Sequence, residues 1–413
     1  MTCDVLIIGA VPAGLMAAAT AAAAGRCVLV CERLAAPGRK LLATGGGRCN
    51  LTTTAPAEAL LSAFGRRGRF LEPALRALPP DAIRAFFAAA GVPTVVQADG
   101  CVFPASQRAR DVLDALQRAA TAAGAQIRSG VIVQRLEVRQ HAVAGVATDT
   151  GTIAVRQVIL AAGGCAYPTL GSDGSGFRLA REAGLEVVPP VPALVPLVTA
   201  DDWPRGLAGT VADRAVVRLE TKGRAPPPRE GPLLFTHRGV SGPPVLDLSG
   251  EVAGRLAAGG GAPVLRIAWR ADRDVAAWRV LFERWRSEHG GRALHNLLAG
   301  ELPARLAATL CGLAGAAGTA AARASRAQLE GLAALCGDAP RPIVATEGWE
   351  RAMVTRGGIA LDEVDPRTLA SRRVAGLSFA GEVLDLDGPC GGYNLTWAFA
   401  SGRLAGLADA WRS

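Results

Sequence analysis

The sequence predicts an α/β chain: a parallel nucleotide-binding sheet, interrupted by an insertion and completed by about the last seventy residues. Three observations carry that expectation. A strand, helix and second strand follow one another within about thirty residues at the start. An apolar strand returns near residue 377, after a long middle of different composition. The first of these strands and the returning one each run into a glycine-containing turn, as expected of a sheet that binds its ligand at the carboxyl ends of its strands.

The elements follow in order. Residues 5–8 form a short apolar run, then a turn, then an alanine-rich helix to about residue 24, and residues 27–31 are a second strand ending at Glu32. Residues 6–25 carry no charge, which hydropathy alone reads as a membrane span or a signal peptide. No basic segment precedes the stretch and Asp4 stands at its head, while Gly9, Pro12 and Gly14 break it where a strand–turn–helix breaks. No membrane association is therefore expected. A loop rich in Gly, Arg and Asn spans 37–54, helices are expected at 71–90 and 111–123, and strands at 127–136, 142–148 and 155–161. Prolines 189, 190, 192 and 196 suggest a domain crossing. Beyond them the chain reads as strand-rich to about 261 and helical from 274 to about 337. Short strands return after Pro342, and a final helix is expected from Gly392 to the C-terminus.

With 413 residues, half of them apolar, the chain can bury a large core in two or three domains and is not disordered. The net charge of +9 invites an anionic partner. All but two of the 45 basic residues are arginine, Lys40 and Lys222 being the exceptions. That bias, with the abundance of Ala and Gly, also fits a GC-rich genome with no functional cause. The nine cysteines form no CxxC and are odd in number, so neither a zinc site nor a disulfide framework is expected, and a reducing cytoplasm fits best.

Three motifs carry chemistry. The first turn reads Gly9-Ala10-Val11-Pro12-Ala13-Gly14. It keeps the first and third glycines of a dinucleotide fingerprint, but Val11 occupies the second, where its side chain is expected to push a pyrophosphate away or shift the turn. Glu32 stands 23 residues beyond Gly9, where a carboxylate can accept both hydroxyls of a ribose. The second motif, Gly38 to Asn50, contains Gly45-Gly46-Gly47 flanked by Arg39, Lys40 and Arg48. Three successive glycines free backbone N–H groups to cradle an anion or lie against a flat ring. The third is Gly381-Glu382, then Gly388-Pro389-Cys390-Gly391-Gly392-Tyr393-Asn394 opening a helix, whose positive end would face a ligand.

Together with Val102-Phe103-Pro104, Ala161 to Gly164 followed by Tyr167-Pro168, Leu234 to Pro243 and Val354-Thr355-Arg356-Gly357-Gly358-Ile359, these motifs resemble the HI-type conserved flavoprotein family, the BaiN/RdsA-type NAD(P)/FAD-dependent oxidoreductases. The resemblance spans nearly the whole chain. It implies a Rossmann-like FAD-binding domain of the two-dinucleotide-binding-domain flavoprotein type, split by a β-rich insert and a small helical insert. The expected divisions are 1–190 and 341–413 for the FAD-binding domain, 191–265 for the β-rich insert and 266–340 for the helical insert. It also implies non-covalent FAD. Carried over by position, Gly9, Ala13 and Gly14 meet the pyrophosphate, and Glu32, with Arg33 beside it, the ribose. Lys40 and Gly45, Gly46, Gly47, Arg48, Cys49 and Asn50 line the cofactor, with Val133 by the adenine. Ala162, Gly163 and Gly164 touch the nucleotide half; Gly381, Glu382, Gly391, Gly392, Tyr393 and Asn394 approach the ribityl chain and the isoalloxazine. Cys390 stands where the family commonly has threonine.

No second fingerprint follows, so NAD(P)H is expected only as a transient reductant. Reduction of a conjugated C=C bond in a small molecule needs hydride from the flavin and a proton from a side chain, for which Tyr167, His237, Cys49 and Cys390 are the candidates. An RNA-modifying reductase making dihydrouridine in ribosomal RNA is the alternative; Arg273, Arg279, Arg284 and Arg286 suit phosphates, and Trp269, Trp278 and Trp285 are stacking platforms or core. A scaffold that has lost FAD, motivated by Val11, is the third.

Overall fold

The structure is a computed structural model that describes residues 3–221, 223 and 225–408; Lys222 and the end of the C-terminal helix expected beyond 408 lie outside the described residues. The chain divides into two compact units, one formed by residues up to Pro190 and from Met353 onward, the other by Val191–Ala352.

The first unit is built on a five-stranded parallel sheet in the order Leu377–Phe379, Gln157–Leu160, Val5–Ile8, Val28–Glu32, Gln126–Ser129. The three central strands, Gln157–Leu160, Val5–Ile8 and Val28–Glu32, are buried along their whole length, so they read as near-continuous apolar runs rather than as alternation. From Val5–Ile8 the chain first builds outward to one side and later returns to the other, which leaves a crevice at the carboxyl ends of Val5–Ile8 and Gln157–Leu160. The helices Pro12–Ala23 and Tyr393–Leu407 lie against each other through their small residues. A Cβ on Gly402 would lie 2.3 Å from the Ala13 carbonyl oxygen, and one on Gly406 2.8 Å from that of Ala17. The uncharged stretch is thus largely buried in this unit as far as Ala22, and no helix among the described residues is long and apolar enough to cross a membrane.

Several elements differ from expectation. The strand expected over 127–136 breaks at Gly130, whose φ is +74°. Its first part, Gln126–Ser129, completes the parallel sheet, and Val133–Arg139 starts a three-stranded antiparallel meander with Ala142–Thr148 and Gly151–Ala154. The helix expected over 71–90 is two helices, Gly68–Ala77 and Pro80–Ala89, because prolines 79 and 80 end one and begin the other. The expected loop 37–54 contains the short helix Arg39–Ala43, a tight turn Thr44–Gly47 and the strand Thr52–Thr53.

The second unit is a closed six-stranded antiparallel barrel, in the order Leu197–Thr199, Gly239–Ser241, Arg229–Phe235, Val211–Leu219, Val264–Ala268, Ala339–Thr346. Four helices lie between the last two of these in sequence. In Val275–Glu288, Asp274 caps the first turn and Trp278, Phe282 and Trp285 recur on one face, with ring centroids 5.6 and 5.3 Å apart. The β-rich and helical segments share this one unit and one core. The return to the first unit comes at Met353 rather than at 341, because Ala339–Thr346 closes the barrel against Val264–Ala268 and Leu197–Thr199.

Candidate functional site

The first turn sits at the mouth of the crevice. Gly9 donates its N–H to the Cys31 carbonyl (2.9 Å) and adopts φ +104°, which only glycine takes readily. Side chains are barred sterically as well: a Cβ on Gly9 would lie 2.6 Å from the Ala161 oxygen, and one on Gly14 2.0 Å from the Gly9 oxygen. Val11 is the N-cap of the helix in extended conformation, φ −101° and ψ 175°. A β-branched residue adopts that backbone without strain. Pro12 has no N–H, and those of Ala13 and Gly14, in the first turn, have no carbonyl one turn earlier to bond. Glu32 is buried at the end of its strand; its two carboxylate oxygens accept the N–H groups of Ala10 (2.8 Å) and Leu34 (2.9 Å). Each oxygen retains a further lone pair.

The second motif supplies an open backbone surface. Gly45, Gly46 and Gly47 are all left-handed, with φ of 57°, 67° and 87°. A Cβ on Gly46 would meet nothing within 4 Å, as would one on Gly163, so both present bare backbone to free space. The Arg48 guanidinium lies over the Phe103 ring at 4.6 Å and its Nε donates to the Gly45 oxygen at 3.1 Å. Asn50 accepts the Val102 N–H with its side-chain oxygen (3.2 Å), tying the loop to the strand Cys101–Pro104.

The third motif closes on the other two. A Cβ on Gly381 would lie 2.8 Å from that of Ala13, and one on Gly392 2.4 Å from the Thr52 oxygen and 3.0 Å from Oδ1 of Asn50. Ser401 accepts the Gly381 N–H (2.9 Å) and Trp397 donates to the Gly381 oxygen (3.1 Å). Lys40 and Glu382 form a half-buried ion pair at 2.6 Å, joining the segment after the second strand to the segment after the last. Residues more than three hundred positions apart are thereby brought to one crevice.

Other expected contacts are placed differently. Cys49 is wholly buried and burial pushes its thiol up to about 12; it is a core residue with no access for a substrate proton. The Asn394 side chain is turned into its own loop, donating to the Gly388 and Pro389 oxygens (2.9 and 3.3 Å) and accepting the Gly388 N–H (2.8 Å). It clamps that loop instead of projecting from it. Arg33 is ion-paired with Asp173, away from the glycine turn. His237 belongs to the second unit, on the exposed turn between Arg229–Phe235 and Gly239–Ser241. Val133 is buried at the start of the meander. Tyr393 packs edge-on against Phe64, with ring centroids 6.5 Å apart, and Cys390 is half-buried in the same segment. Tyr167 is half-buried and left-handed, φ 57° and ψ 63°, and its hydroxyl has no partner among the described residues.

Some residues of the site went unnoticed in the sequence. Arg67 grips Asp385 with both terminal nitrogens, at 2.8 and 2.6 Å, and Asp385 also accepts the Gly357 N–H (3.0 Å). Asp387 lies 3.8 Å from the Arg356 guanidinium, and burial pushes its carboxyl above the ordinary range. Thr355 is wholly buried and makes three hydrogen bonds to two segments, the loop at 165–166 and Glu382. Thr355 and Arg356 stood inside a motif quoted for its glycines, whereas Arg67, Asp385 and Asp387 carried no sequence signal of their own.

Left-handed glycines with bare backbone, unbonded first-turn N–H groups and a buried carboxylate with spare lone pairs fit an extended dinucleotide running along the crevice. Residues 3–408 match the HI0933-like protein Rossmann domain. The chain belongs to the HI0933-like family. Its members include a 3-dehydro-bile acid delta(4,6)-reductase of Clostridium scindens, 34% identical over 98% of both chains. A ribosomal RNA dihydrouridine synthase of Escherichia coli is 32% identical over 96% of both. Among solved structures, an E. coli quinol fumarate reductase subunit shares the fold with a TM-score of 0.51 at 17% identity, covering 98% of this chain and 69% of that one. This HI0933-like chain thus carries a Rossmann-type domain over nearly its whole length.

Proposed function

We propose that this protein is an FAD-dependent reductase that saturates a conjugated ring C=C bond in a small molecule, with NAD(P)H as a transient electron donor. The observation that supports the reading most is the meeting of three glycine turns, from both ends of the chain, at the carboxyl edge of one parallel sheet. The names of the two relatives point to one chemistry, the reduction of an unsaturated ring. Bound FAD would supply the hydride.

The chain's own residues would do the rest. The N–H groups of Ala13 and Gly14 would bind the pyrophosphate and Glu32 the ribose. Gly46 and Gly163 would lie against the cofactor where a side chain would intrude on it. Tyr167 would donate the proton: it is half-exposed and its hydroxyl has no partner among the described residues, whereas Cys49 is sealed. The Arg residues of the helical segment favour this reading over RNA, since Arg273, Arg279, Arg284 and Arg286 are each paired with a glutamate, and Trp269, Trp278 and Trp285 are buried. None of the nine cysteines is in a disulfide, which suits the cytoplasm.

The test is the absorption spectrum of the purified protein, then anaerobic addition of NADH or NADPH, then re-oxidation by a 3-keto-4-ene steroid or by ribosomal RNA fragments. A flavin band that the nicotinamide bleaches and the enone restores supports the reading. Restoration by RNA alone would replace the substrate class, and absence of flavin after reconstitution would overturn the whole. Tyr167→Phe should leave bleaching intact and slow the enone step by roughly 10²-fold or more.

A further inference from the structure

Tyr167 is held in a conformation its sequence opposes. A bulky residue seldom takes positive φ, and a residue before proline is driven toward extended backbone, yet Tyr167 precedes Pro168 with φ 57° and ψ 63°. Such strain persists only where the surroundings overdetermine it. Downstream, the Tyr167 carbonyl oxygen accepts the Leu170 N–H (2.9 Å); the side-chain restraint lies immediately upstream. Oγ1 of the buried Thr355 accepts two consecutive peptide N–H groups, from Cys165 (2.8 Å) and Ala166 (3.2 Å). A Cβ on Gly164 would lie 2.2 Å from that oxygen, so only glycine lets the hydroxyl seat beneath the loop. Thr355 is itself fixed: its N–H donates to Oε1 of Glu382 (2.8 Å), whose Oε2 accepts from Lys40 (2.6 Å). An unbroken set of contacts runs from the segment after the second strand, through Glu382 and Thr355, to the loop that ends in Tyr167.

We propose that Thr355 is the positioning residue for Tyr167, holding the 165–166 peptides so that the phenol is presented in its left-handed conformation. This rests on the reading of Tyr167 as proton donor, and it names a residue that acts through another without touching substrate. The contacts at the other end of Thr355 set its height under the loop, so the Glu382–Lys40 pair and the tyrosine are mechanically linked.

The chain contains only two tyrosines, Tyr167 and Tyr393, so the full-length protein grown with 3-fluorotyrosine gives two fluorine resonances, assigned with Tyr393→Phe. Thr355→Val keeps the side-chain volume and deletes the acceptor. It should move the Tyr167 resonance by several linewidths and leave that of Tyr393 in place. Thr355→Ser, which restores the oxygen, should return the signal to its wild-type position. If valine prevents folding, Thr355→Ala removes the same oxygen and must displace the same resonance. An unmoved Tyr167 resonance in the valine or alanine variant, or a serine variant that fails to restore it, overturns the positioning role. The fluorine measurement requires neither bound flavin nor a known substrate. A Tyr167→Phe enzyme that retains full enone reduction would instead remove the donor reading on which this inference rests.

Discussion

Glu32 concentrates two tasks in one side chain. It organises the first turn by accepting the Ala10 and Leu34 N–H groups, and it is the proposed anchor of the ribose. Glu32→Ala would leave two buried donors without a charged acceptor, at a loss of about 2–4 kcal/mol. The expected outcome is a lower melting temperature without FAD and little further rise when FAD is added, both read from one pair of thermal melts. Asp387 makes a prediction of opposite sign. Burial, and then the neighbouring charge of Asp385, push its carboxyl up, against the pull of Arg356 and Arg67. The folded chain therefore holds this proton more tightly than the unfolded chain does. The resulting stability is complete below the ordinary value of 3.8 and is lost as pH rises through the raised folded value. Asp387→Asn should remove that loss. Its melting temperature relative to wild type should show no gain at the lowest pH and an increasing one toward neutrality, and a flat difference would refute the assignment.

At the scale of the element, the strand–turn–helix at residues 5–23 depends on Gly9 and Gly14 and tolerates Val11. Gly9→Ala forces a side chain into φ +104° and within 2.6 Å of the Ala161 oxygen. It should cost about 2 kcal/mol or more and abolish FAD binding in a fluorescence titration. Val11→Gly should change FAD affinity by no more than roughly threefold, or under about 1 kcal/mol, because the residue already sits in extended backbone that strains no side chain. A large gain in affinity from Val11→Gly would show that the valine does obstruct the pyrophosphate.

At the scale of the molecule, the first unit needs both ends of the chain and the second does not. One core joins residues 5–185 to 359–405, whereas the residues of the barrel and its helices form a separate core of their own. A fragment covering 191–352 should therefore fold alone, with a cooperative thermal transition followed by circular dichroism. A chain truncated after residue 376 should lose the strand Leu377–Phe379 and the helix Tyr393–Leu407, and with them the first unit.

The sequence alone carried the parallel sheet, the helical stretch after residue 274 and the three glycine motifs, because these depend on local patterns. Apolar runs covered on both faces, recurrent aromatic spacing and positive φ all leave marks within a few residues. It did not carry the restart of the first unit at Met353, since whether Ala339–Thr346 closes a barrel depends on partners at 264–268 and 197–199. Nor did it separate Cys49 from Tyr167 as candidate donors. Their difference is one of burial and of free hydrogen-bonding capacity, which only the packed chain possesses. Thr355 is the clearest case. A single threonine in a glycine motif has no pattern of its own, and its meaning comes from the peptides at 165 and 166, nearly two hundred residues away, that the tertiary fold lays against its hydroxyl.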